Sequence, residues 1–313
     1  MPQVRVATIG FFDGVHAGHR CLIGQVVAEA RCRGGSSLLV TFDRHPSLVL
    51  RPEASLALLT TDEERQELLQ ATGADDIAVI PFTRQLAAMS ARAFMDSVLK
   101  KELGVQVLVI GYDHRFGHGR KDTFEDYVRY GREIGIEVLQ AEELAGVDHV
   151  SSSAIRRALQ VGDVQHANSM LGYPYFLRGS VVGGFRIGRQ LGYPTANILP
   201  LDPRKLIPKD GVYAVQVLTN PCESLTEPRQ QKPPSVRLDK QPQAGFPGML
   251  YIGERPTFGG GERTIEVHLL HFHGDLYDEQ VEIRFLRFVR EQRTFASAEE
   301  LRQQLQADER ACE

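Results

Sequence analysis

Hydrophobic positions follow two periods in the first half of the chain. Five short apolar runs predict buried strands: Val4–Ile9, Leu38–Phe42, Ile77–Phe82, Val105–Ile110 and Ile136–Leu139. Between these runs apolar residues recur at helical spacing, as they do at Leu22, Ile23, Val26, Val27 and Ala30. Paired threonines and glutamates at Thr60, Thr61, Glu63 and Glu64 predict overlapping capping boxes for a helix that ends at Gly73. The repeated strand–helix units predict an α/β domain with a doubly wound parallel sheet.

The periodicity changes near Gly172. Consecutive strands are predicted at Tyr175–Val182, Gly211–Leu218, Gly248–Ile252, Thr264–Phe272 and Gln280–Phe288, followed by a helix at Ser297–Gln306. This order predicts an antiparallel β-barrel with a terminal helix. We therefore expect two domains, 1–171 and 172–313. The stretch Asn220–Phe246 is rich in Pro, Gln and Lys and predicts a long loop between strands.

Length and charge narrow the class of protein. A chain of 313 residues suggests about two domains, and its net charge of −4 indicates neither a nucleic-acid nor a membrane partner. The sequence has no apolar run near the ~20 residues of a membrane helix, and its beginning lacks a signal-peptide pattern. Four scattered cysteines (Cys21, Cys32, Cys222 and Cys312) fit neither a disulfide framework nor a zinc knuckle. We expect a cytoplasmic protein.

The turn after the first predicted strand, Gly10–His19, is rich in glycine and histidine. Its candidate nucleotide-binding residues are Gly10, Phe12, Asp13, Gly14 and Gly18. Glycines permit close backbone approach and positive φ, and the helix that follows supplies free N–H groups. His16 and His19 are three residues apart, so both can donate hydrogen bonds to a leaving polyphosphate. A solvated surface turn and a zinc site are the alternatives, although no third zinc ligand lies nearby in the sequence.

Two more segments of the first half carry candidate phosphate ligands. Asp113 and Arg115 lie in a turn between Gly111 and Gly117, where the alternative is a loop with an Arg–Asp pair. Ser152, Ser153 and Arg156 open a predicted helix, whose positive end suits a phosphate gripped by arginine. A merely capped helix is the alternative there.

The second half has its own glycine- and arginine-rich segment, from Gly183 to Asn197. Its phosphate-binding candidates are Gly184, Arg186, Gly188, Arg189 and Gly192. Thr195 and Asn197 are two apart in an extended segment, so their side chains face one side, and their oxygens suit Mg²⁺. The alternative is a polar strand start. Further on, Glu266 and His268 share one face of a predicted strand, where an edge carboxylate paired with a cation is the alternative.

These motifs carry a family resemblance over nearly the whole chain. The H-x-G-H turn is similar to that of HIGH-type nucleotidyltransferases, and the chain resembles the bacterial bifunctional riboflavin kinase/FMN adenylyltransferases. Six family motifs have counterparts in order: G-N-F-D-G, D-F-R-F-G, S-S-T-x-I-R, G-R-x-L-G-x-P-T-A-N, R-P-T-F and the E-x-H strand with its G-D-L-Y turn. The sequence departs from the family pattern at Phe11, Leu250, Tyr251, His271 and His273.

The resemblance implies ATP-dependent phosphorylation of riboflavin to FMN and then adenylylation of FMN to FAD, with ATP, riboflavin and FMN as substrates. It implies that Glu266 is the general base of the kinase and that Thr195 and Asn197 hold Mg²⁺. His16, His19, Ser152 and Arg156 would neutralise the departing pyrophosphate. Two alternatives stay open: another small-molecule nucleotidyltransferase with a substrate-binding β domain, and a non-enzymatic flavin-binding regulator.

Overall fold

The structure is a computed structural model that describes residues 4–51, 53, 56–112, 114–142, 150–183, 192–219, 245–254, 263–272, 274 and 276–313. Its contacts divide the chain into two compact units, Met1–Ser152 and Ser153–Glu313. Among the residues just given, no helix is both long enough and apolar enough to cross a membrane.

The first unit is built on a five-stranded parallel sheet, as the strand–helix pattern predicts. Its strands are β1 (Arg5–Ile9), β2 (Ser36–Phe42), β3 (Asp76–Ile80), β4 (Val107–Ile110) and β5 (Glu137–Gln140). Their order is β3-β2-β1-β4-β5, and every neighbouring pair is parallel. The direction of winding reverses between β1 and β4, and ligands of such sheets collect beyond the carboxyl ends of the strands at that reversal.

Helices cover both faces of this sheet. They are α1 (Ala17–Cys32), α2 (Pro46–Leu50), α3 (Asp62–Gln70), α4 (Arg84–Ala88), α5 (Ala91–Phe94), which continues as a π-helix over Met95–Glu102, a short 3-10 helix (His118–Arg120) and α6 (Phe124–Ile134). Successive residues of β1 face opposite sides: Val6 packs with Val26 of α1, whereas Ala7 lies in the cluster that contains Met95. Burial on both faces explains the continuous apolar runs.

The start and end of α3 differ from the sequence prediction. Thr61 and Glu64 form one capping box, in which each side chain bonds the other residue's backbone N–H. The predicted overlapping box at Thr60 is wrong, because the Thr60 hydroxyl bonds the glycine-rich turn instead. The helix ends at Gln70, three residues before the predicted end at Gly73.

The second unit is a closed six-stranded antiparallel barrel with helices. Its elements are α7 (Ser152–Val161), α8 (Val164–Leu171), β6 (Phe176–Val182), β7 (Ala196–Pro200), β8 (Gly211–Thr219), β9 (Phe246–Glu254), β10 (Arg263–Leu269), β11 (Gln280–Arg290) and α9 (Ala298–Cys312). The strand order around the barrel is β10-β7-β6-β11-β8-β9. The predicted barrel with a terminal helix is confirmed, and α9 extends six residues beyond the predicted end at Gln306.

Helix α8 packs on the barrel. The Asn168 side chain donates to the carbonyl of Phe285 on β11 at 2.8 Å and accepts from the backbone N–H of Tyr175 at 2.7 Å. Gly172, with a left-handed φ of 73°, ends the helix. Gly172 is also the predicted border between the domains, and that border stays a prediction that truncation can test.

Candidate active sites

The glycine- and histidine-rich turn after β1 has an unusual backbone. Gly14 has φ of 79°, and the non-glycine residues Phe12 and Val15 have φ of 58° and 35°. The expectation that Gly10 and Gly18 also take positive φ is wrong: at Gly10 a Cβ would come within 2.9 Å of the Phe12 ring, so close packing accounts for the missing side chain. Left-handed non-glycine residues persist only where the surroundings enforce them, and they cluster at functional sites.

The two histidines of this turn stack at the start of α1. His16 is the N-cap residue, and its Nδ1 accepts from the backbone N–H of His19 at 3.3 Å. Because Nδ1 is the acceptor, the ring proton of neutral His16 lies on Nε2. The His16 and His19 rings are 3.5 Å apart at their centroids and inclined by 18°. They therefore form a pair of imidazoles at the positive end of a 16-residue helix.

Burial determines the charge of His19. Its pKa lies well below 6.5, mainly because the ring is removed from water and further because His16 and His114 lie nearby. Its buried Nδ1 has no hydrogen-bond partner in the part of the chain that the structure describes. At neutral pH His19 is therefore a neutral imidazole, which can donate one N–H group to an anion.

Asp13 and Thr60 fix the shape of the turn. The buried Asp13 carboxylate accepts from the backbone N–H groups of Leu59 and Thr60 and from the Thr60 hydroxyl, each at 3.1 Å. The Thr60 hydroxyl also accepts from the Gly14 N–H at 3.1 Å, and the Ser152 hydroxyl donates to the Asp13 carbonyl at 2.9 Å. This role of Thr60 is not predictable from the sequence, because its spacing to Glu63 is that of a helix cap.

The departure at Phe11 has a packing explanation. The Arg65 guanidinium lies 3.9 Å above the Phe11 ring, and the ring of His45 meets its edge at 4.7 Å. Arg65 is 1 % exposed and donates to the carbonyl of Phe42 at the end of β2. A cation over an aromatic face is attractive, so the phenyl ring supports two polar side chains beside the turn. No sequence signal identifies Arg65 as a partner of Phe11, because it is one of several charged residues on a polar helix.

Other candidates of the first half fall on the loop after β4 and on α7. Phe116 stacks on Tyr127 at 4.5 Å, which anchors the loop, and Arg115 is exposed. Asp113 lies outside the described residues. Ser152 opens α7, Ser153 is exposed, and Arg156 follows one turn later, half-buried.

The second cluster lies on the barrel. Glu266 lies in the middle of β10, opposite Asn197 of β7 on one side and Tyr251 of β9 on the other. The Thr195 hydroxyl donates to Glu266 Oε2 at 3.0 Å. Because directly opposite residues of an antiparallel pair share a face, Glu266, Asn197 and Tyr251 line one surface. The residues that alternate with Glu266 and His268 along β10 are Ile265, Val267 and Leu269. They lie on the opposite face of the strand and are buried.

His268 and Tyr193 complete this surface. His268 Nδ1 lies 2.7 Å from the carbonyl oxygen of Pro194, and the Tyr193 ring meets the His268 ring at 5.2 Å. The Tyr193 hydroxyl donates to Glu309 of α9 at 2.9 Å. Burial, followed by the nearby carboxylates of Asp210 and Glu266, raises the pKa of Tyr251, so its phenol stays neutral.

The oxygen atoms of Thr195, Asn197 and Glu266 are hard donors of the kind that Mg²⁺ prefers beside phosphates and water. The donor chemistry therefore fits the predicted metal. Gly192, the last residue of the predicted phosphate-binding set, has φ of 86°. Its other candidates, Gly184, Arg186, Gly188 and Arg189, lie outside the described residues, as do 255–258, His273 and Asp275.

Comparison with known proteins gives matches in both halves. The FAD synthetase family model matches residues 1–154, and the riboflavin kinase family model matches residues 171–313. The bifunctional riboflavin kinase/FMN adenylyltransferase of Escherichia coli (strain K12) is 35% identical over 305 residues, covering 97% of this chain and 90% of that protein. The protein of the same name from Pseudomonas fluorescens is 36% identical over 306 residues, with the same coverage.

A solved structure resembles the whole chain. A crystal structure described as a macrolide-efflux protein from Streptococcus pneumoniae has a TM-score of 0.84 and 31% identity, covering 100% of this chain and 94% of that one. That name differs from the names of the two sequence relatives, whereas the two family models agree with them.

Proposed function

We propose a division of labour between residues for this chain, which belongs to the family of bifunctional riboflavin kinase/FMN adenylyltransferases. The enzyme phosphorylates riboflavin with ATP in its second half and adenylylates the resulting FMN with ATP in its first half. The observation that carries the residue assignment is the hydrogen bond of 3.0 Å between Thr195 and Glu266, two candidates that are 71 positions apart.

In the kinase reaction Glu266 is the general base. The terminal hydroxyl of riboflavin attacks the γ-phosphorus of ATP, the bond to the β-phosphate oxygen breaks, and ADP leaves. The hydroxyl proton passes to the Glu266 carboxylate, which is half-buried and flanked by Asn197 and Tyr251. Positioning of the substrates and neutralisation of charge are the main ways in which a protein accelerates phosphoryl transfer.

Thr195 and Asn197 are the protein ligands that we assign to Mg²⁺. When bound, the ion neutralises charge on the phosphates that it contacts. The Thr195 hydroxyl has a free lone pair while it donates to Glu266, so it can serve as a ligand without giving up that bond. Gly184, Arg186, Gly188, Arg189 and Gly192 are assigned to the ATP phosphates on sequence grounds.

In the adenylyl transfer an FMN phosphate oxygen attacks the α-phosphorus of ATP, and the α–β bridging bond breaks to release pyrophosphate. His16 and His19 donate N–H groups to the pyrophosphate, which gains charge as it leaves. The neutral imidazole of His19 suits this role because it can donate a hydrogen bond and keep its proton. We assign Ser152, Ser153 and Arg156 to the same anion, and Gly10, Phe12, Asp13, Gly14, Gly18, Asp113 and Arg115 to the nucleotide.

Asp13 acts indirectly in this proposal. Its carboxylate already accepts hydrogen bonds from Leu59 and Thr60, so it shapes the turn that presents the backbone N–H groups. We place both reactions in a reducing cytoplasm, where scattered thiols such as Cys21 and Cys32 stay free.

The test is a product analysis of the pure protein. Incubation with riboflavin and Mg-ATP should yield FMN, then FAD, with ADP and pyrophosphate released. Another small-molecule nucleotidyltransferase would consume no ATP with riboflavin alone, and a flavin-binding regulator would bind flavin without turnover.

A further inference from the structure

We propose that His268 is a positioning residue for riboflavin phosphorylation, which holds the Pro194–Thr195 backbone so that the Thr195 hydroxyl stays on Glu266. The inference rests on the proposed roles of Thr195 and Glu266. It gives a role to His268, the histidine of the E-x-H motif, to which the assigned mechanism gives none.

The need for such a residue follows from the strand pairing. Strand β7 begins at Ala196, and its described register with β10 consists of Asn197 opposite Glu266 and Ala196 opposite Val267. Thr195 thus lies one residue before the first paired residue of β7 in this register. Pro194 has no N–H group to donate, so its carbonyl is the one backbone group by which it can be tied down.

His268 supplies that tie. It follows Glu266 by two positions on β10, so its side chain emerges on the same face as Glu266. Its Nδ1 lies 2.7 Å from the Pro194 carbonyl oxygen. Since a carbonyl oxygen only accepts, Nδ1 carries the proton. The His268 side chain thus binds the backbone just before the first paired residue of β7.

A second contact restrains the His268 ring. The Tyr193 ring packs against it edge-on at 5.2 Å, and the Tyr193 hydroxyl is bonded to Glu309 of α9. Helix α9 is in turn anchored to β11 by an ion pair of 2.6 Å between Asp308 and Arg290, with Asp308 2 % exposed. Three consecutive residues, Tyr193 to Thr195, are therefore held by side chains of two other elements, β10 and α9.

The experiment compares His268→Ala with His268→Asn in the full-length enzyme. The asparagine amide places an N–H donor near the position of Nδ1, whereas alanine has none. His166→Ala is the matched control, because His166 is an exposed histidine on α8 of the same unit. Each protein is assayed for kcat and KM of riboflavin phosphorylation, for FMN adenylylation and for melting temperature.

Two further measurements report on position rather than turnover. Hydrogen–deuterium exchange of the peptide covering 193–197 follows the restraint on Thr195 directly. Calorimetric titration with Mg-ADP follows the assigned metal and phosphate ligands without catalysis.

We expect His268→Ala to lower kcat for riboflavin about three- to tenfold, the effect of one hydrogen bond, with KM for riboflavin little changed. Exchange at 193–197 should accelerate, Mg-ADP should bind more weakly, and FMN adenylylation should stay normal. His268→Asn should restore kcat to within about twofold, and His166→Ala should match the wild type.

Unchanged exchange and kcat in His268→Ala would overturn the inference. So would an equal loss in the alanine and asparagine variants accompanied by a lower melting temperature, since that pattern reports a role in folding. Failure of the proposed function looks different: Glu266→Gln would keep normal kinase turnover while His268→Ala still accelerated exchange at 193–197.

Discussion

The two candidate sites present opposite hydrogen-bonding chemistry. The site after β1 offers donors, namely two imidazoles and the start of α1, whereas the barrel site is centred on an acceptor, the Glu266 carboxylate. The nucleophiles explain the difference. A phosphate monoester is already an anion at pH 7, with a second pKa of about 6, so FMN needs no base. A hydroxyl must lose a proton as it attacks, and phosphorylation of riboflavin therefore needs a general base.

The sites also differ in what keeps them in shape. His16 is positioned by its own N-cap bond and by a turn that buried Asp13 and Thr60 hold from outside. Glu266 is positioned by its register between two neighbouring strands. A site built on a turn depends on a few individual hydrogen bonds, whereas a site built on strands depends on closure of the barrel.

The largest expected effect on activity comes from a fragment that contains the barrel site alone. A fragment of residues 153–313 should phosphorylate riboflavin and form no FAD, because it keeps the barrel with α8 and lacks the histidine turn. A fragment that begins at Gly172 loses the Asn168 bonds to Phe285 and Tyr175, so it should melt at a lower temperature. Thermal melts and product analysis check both, and equal melting temperatures would favour the predicted border at Gly172.

Next in size is the loss of the assigned base. Glu266→Gln keeps an oxygen that can accept from Thr195 but cannot take a proton, so FMN formation should fall by ~10²–10⁴. Conversion of supplied FMN to FAD should be unchanged. Glu279→Gln, an exposed glutamate of the same unit, is the control. A stable Glu266→Gln enzyme with near-normal FMN production would end the assignment.

Substitutions of His16 distinguish its proposed role as a hydrogen-bond donor to pyrophosphate from its role as the N-cap of α1. Asparagine is a good N-cap residue, so His16→Asn should keep the melting temperature while losing the Nε2–H donor, and FAD formation should fall by roughly 10²–10³. His16→Ala should lose a similar rate and also about 0.5–2 kcal/mol of stability from the missing cap. Full activity in His16→Asn would show that the residue serves the helix alone; FMN formation in both variants is the internal control.

The smallest expected effect is on how the melting temperature of the protein depends on pH. The pKa of His19 is lower in the folded protein than the 6.5 of an exposed histidine, so the unfolded chain binds more protons below about pH 6.5. The stability that the neutral ring contributes is therefore present above that pH and is lost as the pH falls. Melting temperatures at pH 7.5 and 5.5 should differ less in His19→Gln than in the wild type, and identical differences would contradict the assigned neutral state.

Local chemistry made much of the fold predictable. The caps at Thr61 and Ser297 start helices as their sequence context indicates, because capping involves only three or four consecutive residues. The alternation around Glu266 predicted its face for the same reason. Prediction failed where a residue had two possible partners: Thr60 carries the signature of a cap, yet it bonds the turn 46 residues earlier.

By itself, then, the sequence determined most of the segments that form helices or strands, with β7 missing from the prediction. It also determined where the chain changes class and which residue types could bind a phosphate or take up a proton. Only the tertiary structure decided that β1 lies between β2 and β4, that Arg65 covers Phe11, and that Thr195 reaches Glu266. The physical reason is that propensity, capping and hydrophobic period act over a few residues. Contacts between distant segments arise when a sheet or barrel closes, at an entropic cost that grows only slowly with the length of chain between them.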